Sequence, residues 1–282
     1  MILLFTLLGC DQKEKSLKTY DMFKDIKAKE NTYYEKDTNK TITGKVKSYY
    51  SNGQLQLTLF LENGKIEGKE KDYYETGELL RTIEYKNGIK NGWLIEYYKN
   101  GQIKYTKEYF DDKQINVQEG YYQTGEKKYL LPFENGMLNG IAYKYYKNQQ
   151  IKYTIPYKNN LIEGKMIGFT QEGKVGIEIN YKNNLREGDR ISYYPSGKIK
   201  EITPYFHDQL HGFSKSFYPS GKIKYKIHYI YGKIDGEFFE YKPSGQLSTK
   251  SIFKEGVCQE KFLYNEISKK EKKIPCNHKD KS

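Results

Sequence analysis

The sequence predicts an all-β fold, an elongated and twisted single-layer antiparallel β-meander of about nine 24-residue hairpin repeats. Three observations carry that expectation. Thirty Tyr and 13 Phe suit a pleated, half-buried surface, while Ala is nearly absent and helices have little to build on. Glycines recur at intervals of 24 residues, the signature of a repeat architecture. Between them, apolar and polar residues alternate with the period of two that belongs to strands.

From the amino terminus, an apolar run from Met1 to Gly9 meets Cys10 and turns polar at Asp11-Gln12-Lys13-Glu14-Lys15. Leu7-Leu8-Gly9-Cys10 resembles the bacterial lipobox, so residues 1–10 are expected to be a lipoprotein signal with Cys10 as the lipid attachment site. The run is short and has no basic lead, which reads as a translation start placed too late. Residues 11–31 are polar, as in a tether with room for a short helix, and 32–43 are expected to form an irregular N-terminal capping hairpin.

Residues 44–259 hold the repeats. One glycine frame includes Gly53, Gly77, Gly101, Gly125, Gly173, Gly197, Gly221 and Gly245, with Gln149 as its interruption. It closes segments such as Tyr49-Tyr50-Ser51-Asn52-Gly53 and Tyr193-Tyr194-Pro195-Ser196-Gly197, which read as three-residue hairpin loops. A second frame, from Gly64 and Gly88 through Asp112, Asn160, Asn184 and Asp208 to Gly256, holds only residues that tolerate positive φ. Asn63-Gly64 and Asn87-Gly88 are type I′ turn pairs. Each repeat is therefore strand, turn, strand, turn.

Side-chain parity sharpens this reading. Ile151, Tyr153, Ile155 and Tyr157 share one face, with Gln150, Lys152, Thr154 and Lys158 on the other. A three-residue loop would put Tyr97, and with it Trp93 and Ile95, on the same face as Ile103. Past the two-residue turn, Leu61 should oppose Ile66 and one residue, Gly68, should be skipped as a β-bulge that re-phases the strand. The carboxyl end, 260–282, reads as a last strand and a basic, unstructured tail that begins at Lys269. Cys258 and Cys276 either pair across that end in an exported protein or remain thiols, and the sequence leaves both open.

The pattern Tyr-Tyr-x-x-Gly, a strand, and two further spaced glycines resembles the MORN repeat, and more closely the bacterial variant found in antitoxin-like proteins, across residues 44–259. That resemblance implies a β-meander serving as an interaction or membrane-associating platform, with no catalysis of its own.

The functional expectations follow. Tyr97, Tyr145, Tyr153, Tyr193 and Tyr225 are candidates for one aromatic binding face, and Lys104, Lys128, Lys152, Lys200 and Lys224 for a basic stripe on the opposite face. The formal charge of +12 admits an anionic lipid or cell-wall polymer as partner, but the signs are interspersed and nucleic acid is not expected. No catalytic constellation, metal site or cofactor motif is evident: His207 and His211 flank a hairpin turn, and His228 and His278 stand apart. The sequence thus points to an envelope lipoprotein that binds a protein partner, with anionic lipid or polymer binding, or an antitoxin- or immunity-like pairing with a toxin, as alternatives.

Overall fold

The computed structural model describes residues 17–264 and 271–276, so Cys10, the expected lipid attachment site, and His278 lie outside the described residues. The chain divides into two units, residues 1–113 and 114–282. Among the described residues every regular element is a strand.

In the first unit, β1 (Thr19–Asp21), β2 (Ile26–Lys29) and β3 (Thr32–Glu35) precede β4 (Gly44–Tyr49), β5 (Leu55–Glu62), β6 (Lys65–Ile66), β7 (Gly68–Tyr73), β8 (Leu79–Lys86), β9 (Ile89–Tyr97) and β10 (Ile103–Phe110). From β4 onward each long strand pairs antiparallel with the next. The amino-terminal end departs from the expected tether and hairpin. β1 pairs parallel with β4, and the capping hairpin is β2 with β3, to which Thr41 adds a single bridge at Tyr34. The reason is apolar burial: Tyr20, Ile26 and Ile42 close over Val46, Leu59, Leu61 and Ile66. Each such side chain contributes on the order of 2 kcal/mol relative to exposure, enough to hold an otherwise polar segment in place.

In the second unit the meander comprises β11 (Lys113–Tyr121), β12 (Lys127–Glu134), β13 (Met137–Leu138), β14 (Gly140–Tyr145), β15 (Ile151–Lys158), β16 (Leu161–Ile162), β17 (Gly164–Phe169), β18 (Val175–Lys182) and β19 (Leu185–Tyr193). It continues through β20 (Ile199–Phe206), β21 (Gln209–Leu210), β22 (Gly212–Phe217), β23 (Ile223–Ile230), β24 (Lys233–Tyr241), β25 (Leu247–Lys254), β26 (Val257–Tyr264) and β27 (Glu271–Ile274). Successive long strands are again antiparallel partners, from β11 with β12 to β26 with β27. Residues 271–274, expected in an unstructured tail, are an edge strand instead, because their backbone completes the ladder of β26.

Both turn types form as the glycine frames imply. Asn63 and Gly64 have φ of 50° and 78°, and the same pair of positive values recurs down to Glu255 and Gly256. The turn amides bond backward to the previous repeat: Gly88 N–H donates to Ile66 O at 2.8 Å, and Gly232 N–H to Leu210 O at 2.8 Å. These carbonyls lie just before the bulge, so the bulge is what frees them to accept.

The bulges themselves differ from expectation. Pairing passes from Leu61–Ile66 to Thr58–Lys71, so two residues, Glu67 and Gly68, are extra, and parity is kept rather than reversed. At the other turn a residue unmarked by glycine is extra. Tyr97 opposes Ile103 but Glu96 opposes Tyr105, leaving Lys104 over; Tyr145 opposes Ile151 but Lys144 opposes Tyr153, leaving Lys152 over. Consequently Trp93, Ile95 and Tyr97 lie on the face opposite to Tyr105 and Tyr109, correcting the single apolar face inferred from sequence.

One face is packed by lateral contact within the sheet. Tyr153 and Ile177 lie over Gly168, where an added Cβ would stand 2.9 Å and 2.6 Å from them, and the ring of Tyr129 occupies the space over Gly120. Ala142, Ile155 and Ile179 are buried on this face. Gly120→Ala and Gly168→Ala are therefore expected to cost about 1 to 3 kcal/mol each by overpacking, because neither glycine needs a positive φ. Urea unfolding followed by tyrosine fluorescence would register this as a lowered midpoint. An unchanged midpoint would mean the rings do not lie over the glycines.

Candidate functional site

The two faces give the candidate residues distinct surroundings. In the second unit the packed face carries Tyr153, Ile155 and Tyr157, and the open face carries Ile141, Tyr143 and Tyr145, since Lys144 opposes Tyr153 and Tyr143 opposes Thr154. Tyr153 and Tyr225 therefore belong to the packed face, Tyr145 and Tyr193 to the open one, and Tyr97 of the first unit to its open face. All five are half-buried. They do not form one surface.

The open face of the second unit displays apolar side chains in mid-strand. Ile141 is 52% exposed and opposes Pro156, Val117 is 40% exposed and opposes Pro132, and Phe213 is 39% exposed beside His228. Charged pairs flank them, including Lys165 with Glu178 at 2.8 Å, and Tyr193 donates its hydroxyl to the same Glu178 at 3.1 Å. Burial and this carboxylate together push the Tyr193 phenol above its ordinary range.

The lysine column is not a stripe on the far face. Lys104, Lys128, Lys152, Lys200 and Lys224 are the extra residues of the unmarked bulges. Their ammonium groups reach back over a second tyrosine column: Lys128 lies 5.7 Å from the Tyr122 ring, Lys152 5.4 Å from Tyr146 and Lys224 5.9 Å from Tyr218. In the first unit Lys104 lies 6.0 Å from Tyr98 and 2.7 Å from the Glu96 carboxylate. Lys200 is exposed.

That second tyrosine column links repeats. The hydroxyls of Tyr50 and Tyr74 donate to the carbonyls of Tyr73 and Tyr97 at 2.7 and 2.8 Å. In the second unit those of Tyr122, Tyr146, Tyr194 and Tyr218 donate to Tyr145, Phe169, Phe217 and Tyr241 at 2.6 to 2.9 Å. Sequence reasoning missed this role, although a signal was present: where Thr170 replaces the tyrosine, Gly176 replaces the bulge lysine. The Thr170 hydroxyl is too short to make this link and is buried beside the Glu172 carboxylate, whose pKa it lowers.

Among the described carboxylates, Glu70 is the most enclosed. It is 8% exposed on the packed face of the first unit, opposite Ile83. Burial first, then the charge of Asp72, raise its pKa, although Arg81 and Lys90 oppose the shift. Burial and the Glu70 charge push Tyr85 up to about 12. Elsewhere, the His207 and His211 rings lie 4.1 and 5.8 Å from that of Phe206 between centroids, and the described residues hold no group of three or more His, Cys, Asp or Glu arranged for a metal. Cys258 and Cys276 are joined as a disulfide, with Cα atoms 6.0 Å apart.

A family profile described as a MORN repeat variant matches residues 42–63, 66–87, 90–112, 138–159, 186–207 and 210–231. Each stretch spans one three-residue loop and ends at the two-residue turn that follows. This chain is a MORN-variant repeat protein. The matched stretches are joined by unmatched ones in the same register, so the MORN geometry, with its paired bulges, extends across both units. No curated protein matches by sequence. Among solved structures, the Photorhabdus luminescens Tc holotoxin pore is 12% identical with a TM-score of 0.21, over 82% of this chain and 14% of that one. A putative 6-phosphogluconolactonase from Bacteroides fragilis is 11% identical with a TM-score of 0.15, over 86% and 88%. Likenesses this faint carry no argument about fold or function.

Two outcomes follow for this MORN sheet. Tyr146→Phe should destabilise the second unit by about 1 kcal/mol through a lost hydrogen bond, whereas Thr170→Tyr with Gly176→Lys should restore the missing link and stabilise by a similar amount. Opposite shifts in thermal midpoint are the check. Glu70, whose pKa is raised by folding, contributes fully only below its unfolded pKa of about 4.3, and that contribution is lost as pH rises through the folded value. Glu70→Gln should therefore raise the urea midpoint at pH 7.5 and lose that advantage at pH 3.5. An equal effect at both values would contradict the burial of the carboxylate.

Proposed function

We propose that this protein is a non-enzymatic, protein-binding scaffold of the bacterial cell envelope, held at a membrane by a lipid on Cys10. The observation that carries the binding claim is the mid-strand apolar surface of the second unit, with Ile141 half exposed beside Pro156, Tyr143 and Tyr145. The chain packs its other face laterally, so these residues are free to meet a partner, and exposed apolar surface rimmed by charge suits a protein. The lipobox-like Leu7-Leu8-Gly9-Cys10 and the disulfide partners Cys258 and Cys276 support export, since disulfides persist in oxidising compartments.

A second reading has its own observation: Lys128, Lys152 and Lys224 are ordered over tyrosine rings, a row of cations that suits an anionic lipid or wall polymer. Salt separates the two. Captures from envelope extracts with the full chain as Cys10→Ser bait should retain a discrete protein at high salt, and Ile141→Asp with Tyr145→Ser should release it without unfolding the bait. Retention that is lost at high salt, or that survives this double substitution, would overturn the protein-binding reading. In the producing cell, Cys10→Ser should move the protein from the membrane to the soluble fraction, and its persistence in the membrane fraction would remove the lipid anchor.

A further inference from the structure

We infer that Asn39, in the turn that follows β3 of the amino-terminal cap, is a site of N-linked glycosylation that takes its oligosaccharide from a lipid-linked diphosphate donor. The inference rests on the export reading above, because the transfer takes place outside the cytoplasm. Its sequence mark is Asn39-Lys40-Thr41, an asparagine with threonine two residues on, and no other asparagine of the chain has Ser or Thr at that distance. Asp37, two residues before, adds a carboxylate for a cationic group of the transferase. Three residues match often by chance, so the structural context decides.

That context is an exposed loop on a fixed base. Lys36 to Thr41 are all exposed, whereas Ile26 of the paired strand β2 and Ile42 just beyond the loop are buried in the core of the cap. Asn39 has a φ of 57°, and its turn is closed by the Asn39 N–H donating to Glu35 O at 3.0 Å and the Glu35 N–H donating to Lys40 O at 2.8 Å. To enter a transferase in extended form, the loop gives up only such local bonds, while the β2–β3 pairs from Ile26–Glu35 to Lys29–Thr32 stay in place.

The groups to be recognised are available. The Lys27 ammonium donates to Asn39 Oδ1 and pins the carboxamide, and the acceptor nitrogen Nδ2 has no hydrogen bond among the described residues. Among the described residues, the Asp37 carboxylate and the Thr41 hydroxyl are equally unengaged. A recess of about 420 Å³ lined by Lys27, Ala28, Lys29, Tyr34 and Asn39 lies beside the amide and gives the first sugar room.

The transfer is a substitution at the anomeric carbon. Asn39 Nδ2 forms the bond to C1 of the first sugar, and the bond from C1 to the diphosphate oxygen breaks. The lipid diphosphate leaves with the electron pair, and the amide proton passes to a base of the transferase. No redox partner is needed.

The test takes the full chain from the membrane fraction of the producing cell and reads its intact mass and that of the peptide carrying Asn39. A glycan confined to that peptide is expected. Asn39→Gln and Thr41→Ala should each abolish it and Thr41→Ser should retain it, with circular dichroism checking that the variants fold. An exported protein bare at Asn39, or a glycan that survives Thr41→Ala, would overturn the proposal. Protease treatment of intact spheroplasts separates the two failures. Unmodified protein digested from outside refutes the glycan alone, and protein protected inside refutes the export reading and the glycan with it.

Discussion

A large side chain lying flat over a small residue of the next strand is the interaction on which this fold depends. A sheet ordinarily buries its apolar face against another layer. Here the layer supplies its own cover. Strands rich in Tyr and Ile alternate with strands that place Gly, Ala or Ser at the opposed positions, so Tyr153 rests over Gly168, Tyr129 over Gly120 and Ile155 opposite Ala142. The packing works only if those residues share a face, and the two bulges of each repeat set that register. The pair of extra residues at Glu67 and Gly68 keeps the strand in phase and frees a carbonyl for the next turn. The single extra residue at Lys104 or Lys152 puts the tyrosine of one strand over the small residue of its partner.

The same bulges set the chemistry of the surface. A residue left over from a ladder has no cross-strand neighbour, and a long side chain there is free to fold over whatever lies beside it. Lysine does this by laying its ammonium over the tyrosine that links one repeat to the next. Both residues are absent at Thr170 and Gly176, but the tyrosine link does not need the lysine: Tyr50 and Tyr74 make it where the extra residue is Gln56 or Leu80. The open face is left uncovered, and there the positions equivalent to Ile141 vary from Lys45 and Lys69 to Trp93, Val117 and Phe213. The repeat fixes the frame and leaves this position to vary.

Much of the fold was legible because its constraints fall on residues with a backbone signature. Asn63-Gly64 and its equivalents mark positive φ directly, and Gly68 marked the site of a bulge, though not its size. The bulge at Lys104 was illegible because its backbone stays at negative φ, where any L-residue fits, and with it the separation of Tyr97 and Tyr145 from Tyr153 and Tyr225 was lost. β27 was hidden in the same way: Glu271 to Ile274 carry lysines that read as solvated tail, and only a neighbouring edge and Cys276 make them a strand. The parallel β1 gave no pattern at all, because three residues cannot show a period.

The claim that the chain covers one face itself and leaves the other open is tested most directly by hydroxyl-radical footprinting of the free protein, read residue by residue by mass spectrometry. The account predicts slow oxidation of Ile155 and Ile179 and fast oxidation of Ile141, Val117 and Phe213. Equal rates on the two faces, or the reverse order, would contradict it.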